Sequence, residues 1–253
     1  MPWNPEQYHK FQSQRAEAFY DLLALVKVRP NLKVVDLGCG TGELTRELAD
    51  QLPNSDVTGL DLSQQMLDKS ASFARSGLVF QLGDQTRLSE DWDLIFSNAA
   101  LQWSEKHAEL IPRLFQRLKP GGQIAVQIPS NHDHISHKIY RETAEEEKFK
   151  SLLNGFQRTA PVLSIDKYAQ ILFSCGADDI VVFEKIFPHV MEDSDAVVEW
   201  ISGTALVPYF ERLGEHKEDF LKSIREKMRL AMPGSPVFYP FRRILFSARK
   251  PER

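Results

Sequence analysis

The sequence has few cysteines and no large excess of charge of either sign. Its 253 residues include two cysteines, Cys39 and Cys175, which is too few for a disulfide framework, and neither belongs to a zinc-type pair. The 31 basic and 35 acidic residues give a net charge of −4, whereas nucleic-acid-binding proteins usually carry a basic excess. No apolar run approaches the roughly 18 residues of a membrane span, and the first residues lack the apolar core of a signal peptide. We therefore expect a cytoplasmic enzyme with a small-molecule partner, and neither nucleic acid nor a membrane as partner.

The chain also lacks internal repeats and flexible linkers, and much of it alternates short apolar runs with helical stretches. Because buried parallel strands are apolar along their whole length, this alternation predicts an α/β fold with a parallel sheet covered on both faces. The apolar runs predict strands over 33–37, 56–60, 78–82, 91–96, 123–128, 179–187 and 238–248. Amphipathic periodicity predicts helices over 41–52, 63–74, 105–118 and 164–175, the third of them ended by a Pro-Gly-Gly sequence.

Two further segments have helical periodicity. Bulky apolar residues recur every three or four positions between residues 4 and 27, and Arg15 falls on the same apolar stripe. A buried cation needs a partner, so Arg15 is either half of a structural salt bridge or a ligand-binding residue. In an insertion over 188–237, one helix face carries Leu213, Phe220, Ile224 and Met228.

We expect these two segments to pack on the main body rather than to form a separate domain. A single domain over 1–253 would then have a core over about 30–187 and 238–253, with 4–27 and 188–237 as a helical cap. The acidic run RETAEEEKFK, which starts at Arg141, is interpreted as a solvated helix face.

Glycine is concentrated where the first predicted strand meets the first predicted helix, in VVDLGCGTGELT over 34–45. Glycines at such a turn let a ligand approach the backbone, and the helix that follows offers unpaired amide groups. A dinucleotide-binding sequence reads G-x-G-x-x-G, but here the third glycine comes one residue early and Glu43 occupies its place. Asp36 would repel a pyrophosphate, whereas it suits a ligand with an ammonium group.

Two more acids follow predicted strands. Asp61 ends the second strand, 21 residues after Gly40, where a carboxylate can accept hydrogen bonds from both hydroxyls of a ribose. Asp84 ends the third strand, where it can accept from an adenine amino group. Each acid taken alone is equally well interpreted as a turn residue. Three acids at three successive strand ends favour a ligand site, because ligands bind at the carboxyl ends of strands in open α/β sheets.

With these features the chain resembles the class I S-adenosylmethionine-dependent methyltransferases. The residues that carry the resemblance are DLGCGTG, the sequence GLD ending at Asp61, the sequence GD ending at Asp84, FSNAALQW and LKPGGQIAVQIP. The resemblance implies a Rossmann-like, seven-stranded, mostly parallel sheet with a reversed last strand, which would enter beside the 179–187 strand. It also implies S-adenosyl-L-methionine as cofactor, held by Asp36, Gly38, Cys39, Gly40, Asp61, Leu62, Asp84, Gln85, Asn98 and Ala99. Within this set the ribose would lie on Asp61 and the adenine near Leu62, Asp84 and Gln85.

A resemblance over nearly the whole chain is to the trans-aconitate methyltransferases. It is carried by Trp3-Asn4-Pro5 with Tyr8, Phe11 and Arg15, by SNAALQW followed by His107, by Asn131 with Ser136-His137, by AVVEWISGTAL with Pro208-Tyr209, and by the terminal PFRR. The chain departs from that family at Ala16-Glu17-Ala18, where an arginine and a proline are usual, and in the short segment before the last strand. Both departures lie where the substrate would be selected, so the identity of the acid stays open.

The chemistry implied by this resemblance needs little from acid or base groups. A carboxylate with a pKa near ~4 is already ionised at pH 7 and needs no general base, so we expect no catalytic residue in the acid-base sense. Positioning and exclusion of water would supply the acceleration. Arginine forks suit the remaining carboxylates of a polycarboxylic acid. The predicted substrate-binding residues are Tyr8, Arg15, Trp103, His137, Trp200, Tyr209, Arg242 and Arg243.

Several of these residues have alternative interpretations. The aromatic ones are as well suited to a hydrophobic core, and Arg242-Arg243 lie on an apolar strand whose alternation turns one inward and one outward. His132, His134 and His137 lie within six residues, but no cysteine or second cluster completes a metal site. We therefore expect no metal, and interpret the three as a solvated loop or, for His137, a substrate contact.

The predicted function is S-adenosylmethionine-dependent esterification of a small polycarboxylic acid, with trans-aconitate as the first candidate. One alternative keeps the cofactor and replaces the acceptor by a carrier-bound or other small molecule. A second alternative is a catalytically silent cofactor-binding module, although none of the three acids nor Asn98 is missing. The sequence leaves the oligomeric state and the esterified carboxyl open.

Overall fold

The computed structural model of the protein describes residues 12–252, with side chains from residue 17 onward. Alternating β and α elements follow one another through the first half of the chain, as predicted. The strands are β1 Lys33–Leu37, β2 Asp56–Asp61, β3 Leu78–Leu82, β4 Trp92–Asn98, β5 Leu118–Pro129, β6 Asp178–Met191 and β7 Val237–Arg249. The helices are α1 Gln12–Leu23, α2 Glu43–Gln51, α3 Gln64–Ser70, α4 His107–Gln116, α5 Ile135–Ala144, α6 Glu147–Leu152, α7 Ile165–Ser174, α8 Ser194–Ser202, α9 Val207–Leu213 and α10 Lys217–Ala231.

The seven strands form one sheet in the order β3-β2-β1-β4-β5-β7-β6. Strands β1 to β5 pair in parallel. Strand β7 lies between β5 and β6 and runs antiparallel to β5, with Gln123 opposite Arg249 and Pro129 opposite Arg243. The predicted sheet with its reversed last strand is therefore confirmed.

The chain divides into two compact units, and the division passes through β6 and β7. The first, the sheet unit, comprises Arg15–Pro129, Pro161–Lys185 and the chain from Arg243 onward. The second, the helical unit, contains Ser130–Ala160 and Ile186–Arg242. The prediction that 4–27 and 188–237 act as a cap over the active site stays a prediction.

In the sheet unit, successive residues of each central strand point to opposite faces, and each face is covered by helices. Val35, Ile95 and Ile124 pack in one cluster with residues of α4 and α7. Val34 and Phe96 pack in the other cluster, with residues of α1 and α2. Both clusters are fully buried at their centres, and this explains why the strands are apolar along their whole length.

In the helical unit, α10 packs with α8 and α5 around a second core. The predicted apolar face of the insertion, Leu213, Phe220, Ile224 and Met228, is buried there. Tyr209 stacks on Phe220 with ring centroids 5.8 Å apart. Phe149 of α6 contacts Phe220 edge-on, with ring centroids 5.1 Å apart. The helical periodicity of 188–237 is thereby confirmed.

The largest differences from the predicted strands lie at two boundaries. Strand β5 begins at Leu118 rather than at residue 123. Trp92 of β4 pairs with Leu118 and Leu94 pairs with Gln123, so an irregularity in the ladder accommodates the Pro-Gly-Gly sequence between them. Strand β6 continues through Pro188 to Met191. Both extensions contain a proline. A proline in the sequence predicts the end of a strand, but a hydrogen-bonded strand pair tolerates proline at bulges and at sheet edges.

Within residues 12–252, no helix has both the length and the apolar character needed to cross a bilayer.

Candidate active site

In the sheet unit, the loop over 38–42 crosses the carboxyl end of the sheet between β1 and α2. The amides of Gly38 and Cys39 both donate to the carbonyl of Leu60, at 2.7 and 3.0 Å. The amide of Gly40 donates to Oδ2 of Asp61 at 2.9 Å. The loop is therefore fixed to the end of β2 by three hydrogen bonds, and two of the residues predicted to bind one ligand, Gly40 and Asp61, lie in direct contact.

The glycines of this loop serve different purposes. Gly38 has a φ of +75°, and a Cβ there would lie 2.2 Å from the Cβ of Ala100, so this glycine allows the loop to pack on the turn after β4. Gly40 has a φ of +57°, and a Cβ there would meet no atom within 4 Å. Gly40 therefore faces open space, as the wall of a ligand site requires.

Asp36 is the most buried of the three strand-end acids. It is 5% exposed, and Oγ1 of Thr45 donates a hydrogen bond of 2.5 Å to its Oδ2. Burial raises the pKa of the Asp36 carboxyl to about 7, and the nearby charge of Asp61 adds to the rise while the Thr45 hydrogen bond opposes it. Since the ionised form is disfavoured in the protein alone, a cationic ligand beside Asp36 would stabilise it.

Asp61 is partly exposed, and its carboxylate accepts one backbone hydrogen bond on each oxygen. The donors are the amide of Gly40 to Oδ2 and the amide of Ser63 to Oδ1, the latter at 2.8 Å. Each oxygen keeps a lone pair, so the carboxylate can still accept two hydrogen bonds from a diol. Leu62, the next residue, is 66% exposed and offers an apolar surface beside it.

Asp84 and Gln85 follow β3 and have different surroundings. Oδ1 of Asp84 accepts hydrogen bonds from the amide and the hydroxyl of Thr86, which hold the pKa of the Asp84 carboxyl below its usual range. Gln85 is buried, and its Nε2 donates to the carbonyl of Ala100 and to Oγ of Ser104. The side chain of Gln85 thus holds the turn after β4, which leaves its backbone groups for a ligand.

Asn98 and Ala99 end β4 beside the loop. Ala99 has a φ of +54°, a conformation that strains a residue with a Cβ and that is common at ligand sites. Oδ1 of Asn98 is buried, and no donor among the described residues reaches it. A buried acceptor without a donor is unfavourable by about 1–3 kcal/mol, so this position favours a ligand that donates a hydrogen bond.

Of the predicted substrate-binding residues, the sheet unit contains Arg15, Trp103 and Arg243. Trp103 is 47% exposed in the 3-10 turn after β4. Arg243 on β7 is 3% exposed, and its Nη1 donates to Oε1 of Gln127 at 3.3 Å. Arg15 belongs to α1, but its side chain and the whole of Tyr8 lie outside the described residues.

The helical unit contains the other four. Tyr209 is fully buried, and its hydroxyl donates to Oε1 of Gln157 at 3.2 Å. Trp200 is buried, with its ring centroid 5.2 Å from that of Phe241. Arg242 is exposed, and its amide donates to Oδ1 of Asn131 at 2.6 Å. His137 lies in the first turn of α5, where burial and nearby basic groups lower the pKa of its imidazole to about 3.

Sequence reasoning did not single out Thr45 or Arg141. Thr45 lies on the buried face of α2 and its hydroxyl is the one hydrogen-bond donor to Asp36 among the described side chains. Arg141 begins the acidic run that was interpreted as a solvated face, yet it is only partly exposed. Its position four residues after His137 on one helix was the signal that could have found it.

Comparisons with known proteins now identify the family. A family model described as a methyltransferase domain matches residues 29–201. The chain is 46% identical over 259 residues to the trans-aconitate 2-methyltransferase of Deinococcus radiodurans, with all of both chains covered. It is 38% identical to that of Streptomyces coelicolor, with 99% of this chain and 87% of the relative covered. The chain belongs to the trans-aconitate 2-methyltransferase family.

Solved structures similar to this methyltransferase share its fold at low sequence identity. The YcgJ protein from Bacillus has a TM-score of 0.63 and 14% identity, and the match covers 94% of this chain and all of that one. A Haemonchus contortus phosphoethanolamine N-methyltransferase 2, in complex with phosphomonomethylethanolamine and S-adenosylhomocysteine, has a TM-score of 0.56 and 18% identity. That match covers 93% of this chain and 53% of the other.

The cofactor of this methyltransferase is S-adenosyl-L-methionine, and the residues of the sheet unit fit it in three respects. The open face at Gly40 leaves room for a ligand against the backbone. Oδ1 of Asn98 needs a donor, and the amino group of the cofactor's methionine moiety is one. The carboxylate of Asp36 is stabilised by a cation, and both the amino group and the sulfonium are cationic.

Proposed function

We propose that this methyltransferase esterifies a carboxylate of trans-aconitate with the methyl group of S-adenosylmethionine. The observation that carries the proposal is the 46% identity, over the full length of both chains, to an enzyme named trans-aconitate 2-methyltransferase. Relatives of the same name from several other bacteria are 36–38% identical to this chain.

We further propose how the cofactor is held. Asp61 accepts the ribose hydroxyls, with Leu62, Asp84 and the backbone of Gln85 beside the adenine. The loop over 38–42, including Cys39 and Gly40, lies along the methionine moiety. Asp36, Asn98 and Ala99 receive its amino group. The support is the position of these residues at the carboxyl ends of adjacent strands, together with the unsatisfied groups described above.

The chemistry supplied by the bound cofactor is an activated methyl group on a sulfonium. The acceptor carboxylate is ionised at neutral pH and attacks without a general base. The chain's own residues therefore bind, orient and exclude water, which can supply on the order of 7–11 kcal/mol of the barrier. The predicted substrate residues Tyr8, Arg15, Trp103, His137, Trp200, Tyr209, Arg242 and Arg243 keep the role of positioning the acid.

The test is methyl transfer from radiolabelled S-adenosylmethionine to a panel of acids, with the ester identified by mass spectrometry. The panel should contain trans-aconitate, its cis isomer, citrate and a monocarboxylate of the same unsaturation. Preferential formation of a trans-aconitate monoester is the expected result. Cofactor binding without transfer to any acid, or transfer only to a carrier-bound acid, would favour one of the two alternative functions instead.

The cytoplasmic location and the absence of nucleic acid and membrane partners stay predictions.

A further inference from the structure

The turn over 98–104, which follows β4 in the sheet unit, is held by hydrogen bonds from side chains to its backbone. Three successive carbonyls of the turn each accept one such bond. The donor and acceptor pairs are Gln102 to Ala99 at 2.6 Å, Gln85 to Ala100 at 3.3 Å and His107 to Leu101 at 2.9 Å. Because two of these donors lie outside the turn, the position of its backbone is set by the packing of other elements.

The hydrogen bonds of His107 fix which of its ring nitrogens carries the proton. Nε2 lies 2.9 Å from the carbonyl of Leu101, which can only accept, so Nε2 carries the hydrogen and donates. Nδ1 lies 2.5 Å from the hydroxyl of Tyr168 on α7. In the neutral imidazole Nδ1 is then an acceptor, so Tyr168 donates to it. The same hydroxyl accepts a hydrogen bond of 3.3 Å from the amide of Leu163, which completes a chain of three hydrogen bonds from Leu163 to Leu101.

The two side chains in this chain of hydrogen bonds keep the protonation states that it needs. His107 and Tyr168 are 1% and 0% exposed. Burial lowers the pKa of the His107 imidazole, and hydrogen bonds to the backbone of Leu101 and Ser104 only partly oppose this. Burial also raises the pKa of the Tyr168 hydroxyl above its ordinary range. At neutral pH the imidazole is therefore uncharged and the phenol is protonated, so the hydrogen bonds have one direction.

The last acceptor, Leu101, lies close in sequence to two residues with unfavourable features. Oδ1 of Asn98 is buried, with no donor among the described residues, and Ala99 has a φ of +54°. A strained backbone conformation persists only where the surrounding structure fixes it. The carbonyl of Leu101 is fixed from α4 and α7, so the loss of this anchor would let the backbone over 98–101 relax.

We propose that His107 and Tyr168 are positioning residues, which hold the backbone over 98–101 against the amino-acid end of S-adenosylmethionine. The assignment rests on the proposed placement of that end at Asn98 and Ala99. Neither the imidazole nor the phenol contacts the cofactor in this arrangement, and both act through the backbone of the turn.

The ribose end of the cofactor site does not depend on this pair. Asp61 is fixed by the amides of Gly40 and Ser63, which lie outside the turn. Weakening the pair should therefore reduce the affinity for a ligand that has an amino-acid end more than the affinity for one that lacks it. S-adenosylhomocysteine and methylthioadenosine are suitable probes, because both contain the nucleoside and only the first contains the amino acid.

The experiment measures both affinities by calorimetry in the full-length variants His107→Leu, His107→Gln and Tyr168→Phe. In His107→Leu, binding of S-adenosylhomocysteine should weaken about 10- to 100-fold and binding of methylthioadenosine less than about threefold. Glutamine places an amide where Nε2 of the imidazole was, so His107→Gln should recover part of the loss. Tyr168→Phe keeps the ring that stacks on Phe246 with centroids 5.0 Å apart, and should show a smaller loss of the same kind.

The matched control is Gln123→Leu, which also removes a buried polar side chain that joins distant segments of the sheet unit. The Gln123 side chain accepts from the amide of Lys27 and donates to the carbonyl of Leu25 and to Oγ of Ser247. The melting temperature should fall in this variant, while the ratio of the two affinities stays at the wild-type value. A merely structural role of His107 would produce this same pattern.

An unchanged ratio of affinities in His107→Leu overturns the proposal, as does an equal shift of the ratio in Gln123→Leu. If His107→Leu does not fold, Tyr168→Phe replaces it, and a wild-type ratio there overturns the proposal. Asn98→Ala tests the proposed placement of the cofactor separately. A shifted ratio in His107→Leu with a wild-type ratio in Asn98→Ala supports the positioning role and contradicts only the placement at Asn98, whereas the reverse combination contradicts the positioning role alone. No acid is present in these measurements, so their outcome does not depend on which acceptor is methylated.

Discussion

Replacing Asp36 by asparagine should change how the stability of the protein depends on pH. Burial raises the pKa of the Asp36 carboxyl from its ordinary value of 3.8 to about 7 in the folded protein. Between these two values the folded state holds a proton that the unfolded chain has released. The free energy of unfolding therefore falls as pH rises, by about 1.36 kcal/mol per pH unit and about 4 kcal/mol over the whole window.

Asparagine has no proton to lose, so the variant lacks this decrease, while its side-chain oxygen can still accept the hydrogen bond from Thr45. Urea unfolding of both proteins at pH 5 and pH 8 measures the effect. The stability of Asp36→Asn relative to wild type should rise by about 3 kcal/mol between these two conditions, since about two pH units of the window lie between them. The control is Asp68→Asn on α3, where an exposed carboxyl is replaced.

The same group should link cofactor binding to pH. If Asp36 faces the cationic groups of the cofactor, binding needs the ionised carboxylate, and wild-type affinity should be about tenfold weaker at pH 5.5 than at pH 7. Asp36→Asn should bind the cofactor weakly at both pH values.

A stability difference between wild type and Asp36→Asn that does not change with pH, or one matched by Asp68→Asn, would refute the reasoning about burial.

Three further predictions concern the loop, the ribose site and α1. Asp61→Ala should weaken S-adenosylmethionine binding in calorimetry, because two charge-assisted hydrogen bonds of about 1.5–3 kcal/mol each are lost, and unchanged affinity would reject the ribose assignment. Gly38→Ala should lower the free energy of unfolding by about 1–3 kcal/mol, because its Cβ would overlap Ala100, and more than Gly40→Ala, which meets open space. Arg15→Ala should reduce kcat/KM for the tricarboxylate at normal cofactor affinity, with partial recovery in Arg15→Lys. A lower melting temperature with normal turnover would instead make Arg15 a structural ion pair.

Much of this protein follows from local sequence. The strand order was implied by a family resemblance, but the strands themselves are visible as continuous apolar runs, since a strand covered on both faces admits few polar residues. The acids Asp36, Asp61 and Asp84 could be placed because each lies within two residues of the end of such a run. The helical face of the insertion was predictable because four apolar residues at helical spacing need one core.

Tertiary structure decided what each of these residues does. The sequence presents Gly38 and Gly40 as equivalent, and only the position of Ala100 shows that one allows close packing while the other faces open space. Gln85 and Asp84 are neighbours in sequence, yet the Gln85 side chain is used within the protein because the turn after β4 folds back onto it. Arg141 and Gln157 are separated by a helix and a loop, yet the side chain of Gln157 donates a hydrogen bond to the backbone carbonyl of Arg141. Hydrogen bonds between distant segments depend on how the whole chain packs, and neither the periodicity of apolar residues nor the spacing of motifs along the sequence predicts them.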